Sequence, residues 1–287
     1  MEFTSAEGEQ RYVEFVRAAH RAVVGLDFDG TLSPIVDDPE AAHIHDDASD
    51  MLLELAREVA AVAVITGRPA RQVLDLGGLE EVGEALRSAD ADLYVFGQYG
   101  NERWSSGSRR IISPRPPRGL ASFERELTGV LRRADAADAW VEDKGLAVAV
   151  HTRRLDDPDA AFQRLLPLIR NLAKSHQLIT EPGRNVIEVR SSGMHKGVAV
   201  QTLVEELDAG AFLFAGDDLG DMEAFEAVAD LRASGMPTLL VCSASSEESA
   251  LVPLSDVVVK GPDGVLDLLR QLTVDARSAG SPPVRPR

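Results

Sequence analysis

Ala22-Val23-Val24-Gly25-Leu26-Asp27-Phe28-Asp29-Gly30-Thr31 is the stretch on which the fold turns. Its first five residues form a short apolar run, which reads as a buried strand. The run ends in two carboxylates one residue apart, then a glycine that permits a sharp turn, then a hydroxyl. Carboxylates spaced this way on an extended chain point to similar sides and repel each other unless a cation or a proton lies between them. A hard cation such as Mg2+ suits the pair, because it takes oxygen ligands and keeps several waters. Similar strands follow at Val62-Ala63-Val64-Ile65 and Leu93-Tyr94-Val95-Phe96, and between the first two lies the helical stripe Ala48, Met51, Leu52, Leu55. The alternation resumes after residue 192, where a helix carrying Val200, Leu203, Val204 and Leu207 precedes the strands Phe212-Leu213-Phe214, Thr238-Leu239-Leu240-Val241 and Val257-Val258-Val259. Continuous apolar strands alternating with helices predict an α/β, Rossmann-like parallel sheet covered on both faces. Ligands bind such sheets at the carboxyl ends of the strands, which is where the two carboxylates fall.

The middle of the chain follows a different pattern. Pro114, Pro116 and Pro117 interrupt regular structure. After them come a helix stripe (Leu120, Phe123, Leu127, Val130), a hairpin around Asp143-Lys144-Gly145, a second helix (Phe162, Leu165, Leu166, Ile169) and a strand over residues 185–190. Here the strands alternate. Leu146, Val148 and Val150 share one face, leaving Ala147, Ala149, His151 and Arg153 on the other; Ile187 and Val189 oppose Glu188 and Arg190. The expected organisation is a discontinuous core domain (1–114 and 192–275), an inserted α+β cap (115–191) whose second face is open and polar, and a disordered Pro-, Ser- and Arg-rich tail (276–287). A length of 287 residues accommodates two domains.

Charge and composition narrow the function. With 47 acidic and 30 basic side chains the net charge is −17, which repels nucleic acid and anionic membranes while leaving room for a small anionic substrate held by local cations. One cysteine, Cys242, cannot form an intrachain disulfide. Residues 1–10 are polar, and no apolar run reaches the ~18 residues that spanning a bilayer requires. A cytoplasmic monomer is the expectation.

The other motifs also fall at strand-to-helix transitions. Gly216-Asp217-Asp218-Leu219-Gly220-Asp221 follows an apolar strand. Asp217 and Asp218 have the chemistry to complete a cation site with Asp27 and Asp29, whereas Asp221 suits the N-terminus of the next helix, facing the positive end of its dipole. Thr66-Gly67-Arg68-Pro69 follows the second strand and would present a hydroxyl and backbone amides to an anion. Lys196 precedes another helix.

In this order, D-x-D-G-T, a strand-ending Thr, a Lys and G-D-D resemble the haloacid dehalogenase superfamily. A narrower resemblance, to its trehalose-6-phosphate phosphatases, rests on the run from Asp27 to Val36 and on Thr66-Gly67-Arg68. It is extended by Val141-Glu142-Asp143-Lys144 with His151 and Arg153, by Ile187-Glu188-Val189-Arg190, and by Gly216-Asp217-Asp218 before Ala224-Phe225. Two stretches depart from that family: Gly97-Gln98-Tyr99-Gly100 stands where it has Gly-Ser-His-Gly, and Gly220-Asp221-Met222-Glu223 where it has Thr-Asp-Glu-Asp. The resemblance implies Asp27 as a nucleophile forming an aspartyl-phosphate and Asp29 as general acid and base. Thr66 and Lys196 would bind phosphoryl oxygens, and Asp27, Asp29, Asp217 and Asp218 would surround Mg2+. Gly67, Arg68, Glu142, Lys144, His151, Arg153 and Glu188 would contact the sugar phosphate. Alternatives with the same core motifs are phosphatases of glucosyl- or mannosyl-3-phosphoglycerate or of sucrose phosphate. From other classes come a phospho-accepting receiver-like module and a non-catalytic cation-binding domain.

Overall fold

The computed structural model describes residues 1–36, 38–88, 91–183, 185–244 and 250–280. Two compact units emerge, Met1–Ser113 together with His195–Arg287, and Pro114–Met194. Along the chain the first unit opens with β1 (Glu2–Phe3), α1 (Ala6–Ala18), β2 (Ala22–Leu26), α2 (Ala48–Leu55), β3 (Ala61–Ile65), α3 (Ala70–Gly77), α4 (Leu79–Arg87), β4 (Leu93–Gly97) and β5 (Glu102–Ser105). The second unit contains α5 (Leu120–Arg133), β6 (Trp140–Asp143), β7 (Ala147–His151), α6 (Pro158–Ser175), β8 (Ile179–Gly183) and β9 (Val186–Arg190). The chain then returns through α7 (Lys196–Leu207), β10 (Ala211–Gly216), α8 (Met222–Ala233), β11 (Thr238–Ala244), β12 (Val257–Lys260) and α9 (Gly261–Gly280).

The first unit is built on a sheet in the order β1-β12-β11-β10-β2-β3-β4-β5, parallel from β12 to β4 and antiparallel at both edges. The continuous apolar runs have a simple cause, since both faces of each central strand are buried. In β2, Val24 and Leu26 join a core with α1, α2 and α9, while Val23 faces the opposite core with α7 and α8. Gly25 keeps the second face low, lying under the rings of Phe212 and Phe214 and the tip of Ile65. Each large side chain so buried contributes about 1.5–3 kcal/mol.

The edge strands and α1 are not apparent in the sequence. Their positions are polar, and α1 is marked mainly by its cap, the Ser5 hydroxyl accepting the Gly8 amide at 3.0 Å. The expected disorder from residue 276 is corrected for residues 276–280, which complete α9. Ala276 is buried, and Arg277 Nε binds Glu58 at 2.6 Å, tying that turn down. Residues 281–287 of the expected tail lie outside the described residues. Among the described residues no helix is long and apolar enough to cross a membrane.

The second unit is an antiparallel sheet, β6-β7-β9-β8, with α5 and α6 packed through Phe123, Leu127, Leu165 and Ile169 on Val148, Val150, Ile187 and Val189. On the opposite, polar face the central Glu188 and Arg190 are only 5% and 4% exposed, while Glu142 and Lys144 are half-buried and Glu181 at the edge is exposed. Ala149, paired in register with both Glu142 and Glu188, is small enough for longer neighbours to lie across it.

Candidate active site

The site grows from the register of the sheet. Leu26 pairs with Ala215, and the Asp27 amide extends that ladder by one bond to the Ala215 carbonyl at 2.9 Å. Asp27 and the Gly216-Asp217 peptide therefore leave the sheet side by side. Immediately beyond, the chain folds back so that the Phe28 carbonyl accepts the amides of Leu32 and Ser33 at 2.9 and 2.8 Å. Gly30 makes that turn with φ +70°, and a Cβ there would collide with the Asp217 carboxylate. A Cβ on Gly216 would likewise collide with Asp221.

Carboxylate oxygens of Asp27, Asp217 and Asp221 all lie within 4.8 Å of one another. Lys196 Nζ, at the first position of α7 and 3% exposed, donates to Asp27 Oδ1 and to Asp221 Oδ1, both at 2.6 Å. Asp221, 0% exposed, also takes the Asp217 amide at 3.0 Å. Asp221 was expected to serve the helix terminus as at least part of its role, and it does complete a capping box with Asp218, while the same carboxylate closes the cluster. Two carboxylates of the expected cation set, those of Asp218 and Asp29, stand elsewhere, which leaves an Asp29 contact with the cation to its backbone carbonyl. Asp218 is exposed and accepts the Gly220 amide at 2.8 Å, so its side chain is a cap. The Asp29 side chain receives Arg68 Nε and Nη2, each at 2.7 Å. That bidentate pair leaves Asp27 and Asp221 as the partners of Asp217.

When ionised, three carboxylates against one ammonium leave a surplus of two negative charges in a largely buried site, and the three carboxylate oxygens fit a divalent cation. The electrostatics agree. Burial and then Asp221 push Asp27 well above the usual carboxylate range, despite the pull of Lys196. Burial, then Asp27, Asp218 and Asp221 push Asp217 up to about 10. Burial pulls Lys196 down, but Asp221 and Asp27 more than reverse it and hold the ammonium charged. With these carboxyls raised, the folded protein retains protons that the unfolded chain has lost above about pH 4, so the stability of the metal-free protein falls as pH rises toward 10. A bound cation replaces those protons. Millimolar Mg2+ is expected to raise the melting temperature more at pH 8 than at pH 5.5, with protons released on binding. An equal rise at both pH values would contradict the cluster as the site of binding.

The remaining expected residues sit on neighbouring loops of the same unit. Thr66 is buried at the end of β3, and its hydroxyl accepts the Arg68 amide at 3.1 Å. Arg68 also donates to the Pro39 carbonyl at 2.8 Å, so its fork is turned to Asp29 and that loop. Gly67 lies against Tyr99, where a Cβ would stand 2.8 Å from the ring. Gln98 and Tyr99, both with positive φ (49° and 58°), clamp this loop through their amides, to the Arg68 carbonyl at 2.8 Å and the Thr66 carbonyl at 2.9 Å. Two consecutive non-glycine residues in the left-handed region store strain of about 1 kcal/mol or more each. Their role was not readable in the sequence, which shows only an unusual Gln-Tyr pair between glycines.

In the second unit, Lys144 Nζ pairs with Glu188 Oε2 at 2.7 Å and His151 Nε2 with Glu142 Oε2 at 2.9 Å. The His151 ring stacks on Trp140 at 4.3 Å, with the Arg154 guanidinium 4.7 Å from the Trp140 ring centre. Glu188 Oε1 is buried and accepts no hydrogen bond among the described residues; Arg190 Nε is 3.7 Å from it. Arg153 lies past the end of β7 and is exposed.

The trehalose-phosphatase family profile matches residues 25–85 and 130–257. An uncharacterized glycosyl hydrolase of Mycobacterium tuberculosis is 35% identical over 72% of this chain, which spans only 15% of that protein's length. A probable trehalose-phosphate phosphatase of Oryza sativa is 28% identical over 95% of this chain and 75% of its own. Among solved structures, the C-terminal domain of a Candida albicans trehalose-6-phosphate phosphatase shares the fold, with a TM-score of 0.72 at 19% identity, covering 95% of this chain and 98% of that one.

Proposed function

Since the chain belongs to the trehalose-phosphatase family, we propose that it hydrolyses trehalose 6-phosphate to trehalose and phosphate with Mg2+ as cofactor. The observation that carries this reading is the buried group of Asp27, Asp217, Asp221 and Lys196 at the carboxyl ends of β2 and β10. Asp27, Asp217 and Asp221 would hold Mg2+, which when bound neutralises phosphate charge. Asp27 attacks phosphorus, the sugar oxygen leaves, and the aspartyl-phosphate is then opened by water. Asp29 gives the proton that the departing sugar oxygen needs and later takes one from that water. To do so it must exchange its Arg68 fork for the substrate, so Arg68 is released to the incoming phosphate. Lys196 and the Thr66 loop donate to oxygens whose charge grows toward the transition state.

For sugar recognition, the second unit offers paired acceptors and donors on one face. Glu188 is the strongest member, because a buried carboxylate oxygen without a donor is costly until a hydroxyl supplies one. Glu142, Lys144 and His151 are its neighbours in this reading; Arg153 contributes least. Phosphate release from a panel of sugar phosphates, with Mg2+ and with EDTA, tests the assignment. Trehalose 6-phosphate is expected to be the best substrate and EDTA to stop the reaction; a different sugar phosphate turned over faster would displace the substrate assignment. Glu188→Ala is expected to lower kcat/KM for trehalose 6-phosphate about 100-fold while leaving a small aryl phosphate within about threefold. Equal losses on both substrates would remove Glu188 from sugar recognition.

A further inference from the structure

The first unit holds a cavity of about 820 Å3 that none of the groups above touches. After β11, the described residues 250–256 make a single turn at Val252–Leu254 before β12, and that turn forms part of the cavity wall. Phe225, Leu240, Val252, Leu254 and Val258 give the cavity apolar walls, and Leu254 is 46% exposed. Arg11 from α1 and Arg232 from α8 line it as well.

Those two cations share one counter-charge. Asp256, 1% exposed, receives Arg11 Nη1 at 2.7 Å and Arg232 Nη2 at 2.5 Å, and the Leu240 amide at 2.9 Å. Two guanidiniums against a single, already occupied carboxylate leave one positive charge over, beside apolar walls. Burial, and Arg11 nearby, pull the Arg232 guanidinium below its ordinary range. Glu2 and Glu226 also line the cavity, but both are exposed, where water screens them far better than it screens the half-buried arginine pair.

We propose that this cavity is a second binding site, for a small amphipathic carboxylate whose hydrocarbon body lies on the apolar walls and whose head is taken by Arg11 and Arg232. The volume suits a small molecule, and guanidinium forks match a planar carboxylate. A net charge of −17 repels an anionic membrane, so the ligand is a free molecule. The site is independent of the phosphatase reading.

Calorimetric titration of the full chain with octanoate, and with 1-octanol as its neutral counterpart, tests this. One octanoate is expected to bind per chain, with 1-octanol at least about tenfold weaker. Arg11→Gln, which can still hydrogen-bond Asp256, is expected to weaken octanoate about tenfold. Ala229→Trp, at an exposed position of α8 that lines the cavity, places an indole against its apolar walls and is expected to abolish binding, as is Leu254→Asp, which places a like charge at the wall. Thermal unfolding within a few degrees of wild type confirms that each variant is folded. No saturable octanoate binding, equal binding of octanol, or binding that survives both Ala229→Trp and Leu254→Asp would overturn the proposal.

Discussion

Asp27→Asn is expected to stop phosphate release from trehalose 6-phosphate, by at least about 10^4-fold, because an amide cannot attack phosphorus, and the neighbouring Asp217 and Asp221 carboxylates are assigned to the cation. The same change should leave the metal-free protein as stable as wild type or more so. Burial and Asp221 already disfavour the charge on Asp27, and Asn removes that charge while keeping the shape. Turnover and thermal unfolding without Mg2+, measured on one preparation, separate the two effects. Residual turnover above about 1% of wild type would end the case for Asp27 as nucleophile. A large loss of stability would instead show that Asp27 is needed for packing.

Lys196→Met should have the largest effect on folding. The ammonium is the shared partner of Asp27 and Asp221 at 2.6 Å, and removing it leaves those two buried carboxyls facing each other and the half-buried Asp217. Losing one partner of a buried ionic group costs about 3–5 kcal/mol, since the remaining charges are stranded without water. Urea unfolding in EDTA is expected to show a loss of that size. Mg2+ is expected to restore part of it, because the cation supplies positive charge to the same carboxylates. Activity should stay about 10^2–10^3-fold down even with Mg2+, as the donor to the phosphoryl oxygens is gone. Stability within about 1 kcal/mol of wild type in EDTA would mean that Lys196 does not balance the cluster.

The departures from expectation share a cause. Asp29 and Asp218 each sit in an acidic motif beside a true member of the cluster, and nothing in their spacing shows that Arg68 or the Gly220 amide will take their oxygens. Asp221 has the reverse history. Its place ahead of α8 explains a capping aspartate well, and only the meeting of that turn with Lys196 shows the carboxylate serving two purposes. Gln98 and Tyr99 hold the Thr66–Arg68 loop through backbone amides, which side-chain chemistry does not advertise. The polar face of the second unit was recognisable from alternation in β7 and β9, whereas its ion pairs, such as Lys144 with Glu188, join residues far apart in the chain.

Local patterning was enough to determine the parallel sheet, the inserted α+β segment and the two acidic strand ends. A period of two or 3.6 residues and a run buried on both faces are properties of neighbouring residues and survive in one dimension. Which carboxylates converge, which are diverted to an arginine or a cap, and where a lined cavity opens were decided only by tertiary structure. Those outcomes depend on distances between groups far apart in the chain, such as Arg11 and Asp256 at 245 positions, and a charge takes whichever partner folding brings within about 3 Å.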